Sequence, residues 1–179
     1  MDLKFTDEQN MFRDMTRDLC RDYSTMAVVR KMGNDPLGIP ELWGQMQQTG
    51  LTGVLVPEDF GGMGLGMVDC AVIYEELGRT LAPTPHFSSS VMSALVLAKA
   101  GSPAQQKEVL TAIGSGEMIV VPAWMEPDNG YGPNGVQMRA TQSAEGYRLN
   151  GIKRHVFYGK AAQKLLVLVR TGDGAQDID

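Results

Sequence analysis

A chain of 179 residues, 43% hydrophobic and 21% charged, has room for one ordinary domain or for one domain plus part of another. That composition is of a soluble globular protein rather than a disordered one. The formal charge of −5, with no run of lysine or arginine, argues against a surface built to neutralise nucleic-acid phosphates. Cys20 and Cys70 stand far apart with only two histidines in the chain, which is poor provision for zinc, and two reduced, mostly buried thiols are expected.

The opening Met1-Asp2-Leu3-Lys4-Phe5 is neither a signal nor a transit peptide, and no apolar stretch approaches the length of a membrane span, so a cytoplasmic location is expected. Thr6 followed by Gln9 has the form of a capping box. Behind it Met11, Phe12, Met15, Leu19 and Tyr23 form one apolar stripe, with Arg13, Asp14, Arg17 and Asp18 outside it. A second helix is predicted from Pro40 to Gly50, burying Leu42, Trp43 and Met46. Leu51–Val56 is a short apolar run ended by Pro57. The stretch Gly61–Gly66 is then read as a turn that lets helices pack closely, because it lacks the G-x-G-x-x-G spacing of a nucleotide cradle.

A third helix is predicted over Met67–Leu77 with Gly78 as its stop, and a fourth over Ser88–Ala100, ended by Gly101. Ser102-Pro103 opens a last helix reaching Ile113. Past Gly114-Ser115-Gly116 the pattern changes. Met118–Ala123 and Leu165–Val169 are compact apolar runs suited to buried strands, and Asn150-Gly151 is suited to a hairpin turn between Tyr147–Leu149 and Ile152–Phe157. The reading is an α+β fold: an all-α helical domain over 1–116, then a partial antiparallel β domain over 117–179, with a polar tail from Thr171. So few strands leave edges that further sequence or another chain must cover.

Three acids and two histidines compete for chemical roles. Glu75 and Glu76 are neighbours on a helix and do not face each other, so a solvated or salt-bridged pair is expected. Glu126 is expected to hold a turn. His155 is read as a partly buried strand residue, or one that touches a ring ligand, and His86 as an ordinary loop or helix-entry residue.

Five segments in register resemble the acyl-CoA dehydrogenase family. They are Phe5-Thr6-Asp7-Glu8-Gln9; Gly50-Leu51-Thr52-Gly53 through Pro57-Glu58-Asp59-Phe60-Gly61-Gly62-Met63-Gly64-Leu65-Gly66; Tyr74-Glu75-Glu76-Leu77-Gly78-Arg79; Ala123-Trp124-Met125-Glu126-Pro127-Asp128-Asn129-Gly130; and Leu149-Asn150-Gly151-Ile152-Lys153. The resemblance implies a helical domain, a middle β domain and a C-terminal helical bundle, of which this sequence matches the first and about half of the second. It implies α,β-dehydrogenation of an acyl-CoA thioester, with FAD as hydride acceptor and a carboxylate base that lies in the third domain, beyond Asp179; no catalytic residue is therefore assigned here.

The resemblance also implies an electron-transfer flavoprotein as acceptor and a homo- or hetero-oligomer. It points to Trp124, Met125, Gly130, Tyr131, His155 and Phe157 as cofactor-binding positions. Here the sequence departs from the family pattern. Met125 and Phe157 stand where hydroxyl residues are usual, and Tyr131-Gly132 replaces a Ser-Asp pair. A thioether or a phenyl ring cannot donate the hydrogen bond that a hydroxyl gives, so backbone N–H groups must serve instead. Two alternatives follow: a non-catalytic structural subunit that pairs with an active paralogue, or a truncated inactive product.

Overall fold

The computed structural model describes residues 4–32, 40–127, 130–172 and 174. Helix α1 (Asp7–Tyr23) starts at the expected capping box: the Thr6 hydroxyl accepts from the Gln9 N–H at 3.1 Å, and the Gln9 side chain accepts from the Thr6 N–H at 3.1 Å. Its most buried line is Phe12, Thr16 and Cys20. Met15, Leu19 and Tyr23 flank that line, whereas Met11, one residue and therefore about 100° from Phe12, is exposed. A short helix, α2 (Met26–Met32), follows without having been anticipated.

Helix α3 (Pro40–Gln48) buries Leu42, Trp43 and Met46 as predicted. Helix α4 (Met67–Arg79) lies against α1. Arg17 reaches across with two guanidinium N–H groups to Glu76, at 2.8 and 3.2 Å. Glu76 is only 2% exposed, and the Arg17 hydrogen bond holds its carboxyl below the usual carboxylate range. Glu75 is exposed and pairs with Arg79 at 2.9 Å. The two acids are thus structural, one joining helices and one lying on the surface.

The stop of α4 is not Gly78, which lies inside the helix. Ala82 N–H donates to the Leu77 carbonyl at 2.8 Å and Leu81 N–H to the Gly78 carbonyl at 3.1 Å, with Leu81 at φ 51°. That pattern ends a helix with a left-handed residue, a place glycine usually fills. Gly78 is exposed and a Cβ there would meet nothing within 4 Å. Gly78→Ala is therefore expected to raise stability by about 1 kcal/mol, read as a higher urea midpoint with an unchanged slope.

The glycine-rich stretch is a strap folded back on the turns before it, where Leu51–Gly53 and Glu58–Phe60 are single turns of 3-10 helix. Met63 N–H donates to the Gly53 carbonyl, Gly64 N–H to Val56 and Leu65 N–H to Val54, each at 2.9 Å. A long helical segment comes next, π-helical over Phe87–Ser93 and continuing as α5 (Ala94–Ala100). After the Ser102 capping box the chain runs through α6 (Pro103–Gln105), a π turn over Gln106–Leu110 and α7 (Thr111–Gly114). Trp43 Nε1–H donates to the Gly116 carbonyl at 3.0 Å and the Thr52 hydroxyl to the Gly114 carbonyl at 2.8 Å, which fixes the chain as it leaves the helices.

Strand β1 (Val120–Ala123) pairs with β4 (Lys164–Val167), in the register Val120 to Lys164 and Ala123 to Val167. This pair is parallel, while β2 (Ala140–Ser143) and β3 (Gly146–Leu149) form an antiparallel hairpin. The hairpin turn is therefore Ala144-Glu145, with Gly146 at φ 131°, and not Asn150-Gly151. Residues 152–157 form no strand; the partner of 146–149 lies upstream. Of the tail from Thr171, only Thr171, Gly172 and Gly174 are among the described residues.

Val120 shows how the two parts of the chain join. In a strand alternate residues bond to opposite sides. Ile119 and Ala123 accept from Gln163 and Leu168 on the β4 side, so the polar groups of Val120 face the other way. There the Ser89 hydroxyl accepts from the Val120 N–H at 3.1 Å, and the Ser93 hydroxyl donates to its carbonyl at 2.8 Å. Two buried serines take the place of a neighbouring strand.

Candidate functional site

Helix and sheet meet in an apolar groove of about 490 Å³. Val91, Met92, Leu95 and Val96 form one wall, made of the two adjoining four-residue rows Val91/Leu95 and Met92/Val96. Pro122, Trp124 and Leu166–Leu168 form the other. No carboxylate is among these lining residues. Trp124 and Met125, just past the end of β1, are half-buried.

The two segments singled out for flavin contact are tied together here. Arg154 N–H donates to the Met125 carbonyl at 2.7 Å. Lys153 Nζ reaches Glu126 Oε1 at 2.7 Å and the Trp124 carbonyl at 3.3 Å. Glu126 also accepts from the Gln137 N–H at 3.0 Å and the Met138 N–H at 2.9 Å, holding the turn as its motif implied. Both side chains of the ion pair are nearly enclosed, with 6% exposure for Lys153 and 7% for Glu126. Burial works to raise the Glu126 pKa, but the Lys153 hydrogen bond and the two backbone N–H groups outweigh it and hold the carboxyl low. A glutamate so engaged is a poor proton acceptor.

The other candidate residues are less closely gathered. Gly130 and Tyr131 are exposed, Tyr131 at 85%, in a turn where a Cβ on Gly135 would sit 1.9 Å from the Gly130 carbonyl oxygen. His155 is not a strand residue: it is exposed, outside any strand, with φ 53°. Phe157 is exposed and lines a different hollow, with Val29, Met32, Pro83 and Lys160. The structure thus ties Trp124 and Met125 to the Lys153 side chain and the Arg154 N–H, whereas Gly130, Tyr131 and His155 are exposed and Phe157 lines the other hollow.

His86 stands at the entry to the Phe87–Ser93 helix, one of the two places expected for it, but it is not an ordinary residue there. It is fully buried, with Nε2 2.8 Å from the Leu51 carbonyl and Nδ1 2.6 Å from the Tyr74 hydroxyl. A carbonyl only accepts, so Nε2 carries the proton and Nδ1 accepts from tyrosine. Burial lowers its pKa to about 4, the Leu51 bond opposing that only in part. The groove lining was also missed. Its signal was present in the apolar spacing of Val91, Met92, Leu95 and Val96, but a single sequence does not say which apolar face of a helix is left open.

A helical region joined through buried serines to a strand pair, with glycine-strap and loop motifs in this order, defines a class of protein that comparison makes specific. Residues 6–117 match the N-terminal domain of acyl-CoA dehydrogenases. The chain belongs to the acyl-CoA dehydrogenase family. It is 34% identical over 135 residues to acyl-CoA dehydrogenase FadE27 of Mycobacterium tuberculosis, covering 75% of this chain and 35% of that protein. Among solved structures it is similar to the ChsE4-ChsE5 complex of the same organism, with TM-score 0.82, 29% identity, and 97% of this chain against 47% of that one. It is also similar to an acyl-CoA dehydrogenase of Bacillus anthracis complexed with FAD, with TM-score 0.82, 26% identity, and 94% of this chain against 30% of that one. The chain spans less than half the length of these relatives.

Proposed function

We propose that this chain supplies the helical domain and part of the β domain, 1–116 and 117–179, of an FAD-dependent acyl-CoA dehydrogenase. The observation that carries this reading is the joining of the flavin-contact loop at Trp124-Met125 to Lys153 and Arg154, the residues just before the second contact step, beside an apolar groove. Bound FAD would accept the hydride removed from the β-carbon of an acyl-CoA thioester. With no hydroxyl at Met125, a flavin at this edge of the groove would be held by main-chain groups around Met125 and by the indole N–H of Trp124, which lines the groove. Val91, Met92, Leu95 and Val96 offer a water-excluding wall for an acyl chain. The groove lining carries no carboxylate, so the base that takes the α-proton comes from outside it. An electron-transfer flavoprotein would reoxidise the flavin, and an oligomer in the cytoplasm completes the reading.

The test is the visible spectrum of the purified protein after gel filtration with added FAD. A protein-bound flavin band is the expected result, and a colourless protein would overturn flavin binding by this chain. A second reading is favoured by the missing hydroxyls at Met125 and Phe157 and the exposed Tyr131: a structural subunit paired with an active paralogue. Co-purification of this chain, itself colourless, with a flavin-bearing partner is the outcome that would select it.

A further inference from the structure

We infer that Glu126 and Lys153 are positioning residues: their enclosed ion pair is the clamp that sets where Trp124 and Met125 stand at the edge of the groove. For Trp124 and Met125 to matter in flavin contact, this inference rests on the function proposed above. The clamp itself does not.

The geometry has three parts. Lys153 Nζ contacts the Glu126 carboxylate at 2.7 Å and the Trp124 carbonyl at 3.3 Å, so one cation binds a side chain and a main-chain group two residues apart. Glu126 in turn accepts from the Gln137 N–H and the Met138 N–H, at 3.0 and 2.9 Å, which anchors the loop to the segment that leads into β2. The next residue after Lys153 closes the arrangement, with Arg154 N–H on the Met125 carbonyl at 2.7 Å.

Three separate stretches of chain (124–126, 137–138 and 153–154) therefore converge on one carboxylate and one ammonium. Both are less than a tenth exposed. A lone charge left there is costly, so the pair stands or fails as a unit. An ion pair of this kind fixes a geometry better than it adds stability, because the desolvation of both groups offsets much of their attraction. Gln142, Tyr147 and the rest of the exposed hairpin could not hold the loop in its place, since β2 and β3 bury little of their own surface.

The chain contains two tryptophans, one on each side of the question. Trp124 carries the carbonyl that Lys153 holds, and Trp43 is buried in the helical region with its indole on Gly116. Incorporation of 5-fluorotryptophan gives two fluorine resonances, assigned with Trp124→Phe. In Lys153→Met the Trp124 resonance is expected to shift or broaden while the Trp43 resonance stays in place. Glu126→Gln, which keeps an acceptor for the two backbone N–H groups, should move Trp124 the same way. Lys153→Arg should restore the native position, and the double variant should change Trp124 no further than either single one.

An unmoved Trp124 resonance in both single variants overturns the clamp. So does equal loss of both resonances in both, since that marks general unfolding rather than local positioning. FAD titration of the same samples separates the two claims. If the unsubstituted protein binds no FAD, the proposed function fails while the fluorine result still decides the clamp. If it binds, Lys153→Met and Glu126→Gln should each weaken FAD about tenfold or more, with Lys153→Arg close to the unsubstituted protein.

Discussion

Gly62→Ala is expected to destabilise the protein by about 2–3 kcal/mol, although it adds a single methyl group. A Cβ on Gly62 would sit 2.0 Å from the Val56 carbonyl oxygen and 2.5 Å from the Val56 Cβ. The obstacle is backbone, which cannot rotate aside as a side chain can. Relief requires the strap to lift, and lifting it breaks the Gly64 N–H bond to the Val56 carbonyl and the Gly62 N–H bond to Pro57. Val56 is fully buried in the cluster of Ala94, Leu97, Leu110, Ile113 and Val120, so its displacement is felt where helices meet strand β1. Gly61→Ala is the matched control. It has φ 78° but open space, and should cost only about 1 kcal/mol of left-handed strain. Chemical denaturation of both variants measures the difference; equal losses would mean that backbone conformation, not close approach, explains the glycines of the strap.

Much of the helical region was legible because its signals are local. The Thr6 and Ser102 capping boxes and the buried face of α3 each depend on residues within a turn or two of one another. Errors arose where two local signals compete, or where a distant partner decides. Asn150-Gly151 has the chemistry of a hairpin turn, but β3 finds its partner in Ala140–Ser143, and a strand pair is chosen by the better register rather than by the better turn dipeptide. Gly78 has the chemistry of a helix stop, but Leu81 accepts the left-handed conformation instead, three residues later. The parallel pairing of β1 with β4 could not be read from either apolar run alone, because both orientations need the same residues.

The site followed the same division. Glu126 was expected to hold a turn from its place in its motif, and it does accept from the Gln137 and Met138 N–H groups. Its cation was not, because Lys153 lies in another motif and only folding brings the two within 2.7 Å. His86 is the clearest case. Between Pro85 and Phe87 it reads as an ordinary loop or helix-entry residue, yet at that helix entry it joins the Leu51 turn to α4 through Tyr74. A buried histidine and an exposed one have the same sequence; burial is decided by what packs over it.

His86 also gives the fold a measurable pH dependence. In the unfolded chain an imidazole binds its proton near pH 6.5, whereas in the folded protein burial delays this to about pH 4. Between those values the unfolded state holds more protons, so stability is full above about 6.5 and declines as pH falls toward 4. Replacing the ring as His86→Phe removes that dependence and leaves the Leu51 carbonyl and the Tyr74 hydroxyl without their partner, a loss of about 3 kcal/mol at pH 7. The expected result is that the native protein's advantage over His86→Phe shrinks by about 2 kcal/mol between pH 7 and pH 5. Glu76 and Glu126, whose carboxyls are held low in the folded state, also lose their contribution in acid, but only below the carboxylate range and equally in both proteins. Urea unfolding of the two proteins at both pH values is the measurement. A gap that stays constant would mean that His86 is protonated in the folded protein, with the Tyr74 hydroxyl accepting from Nδ1 rather than donating to it.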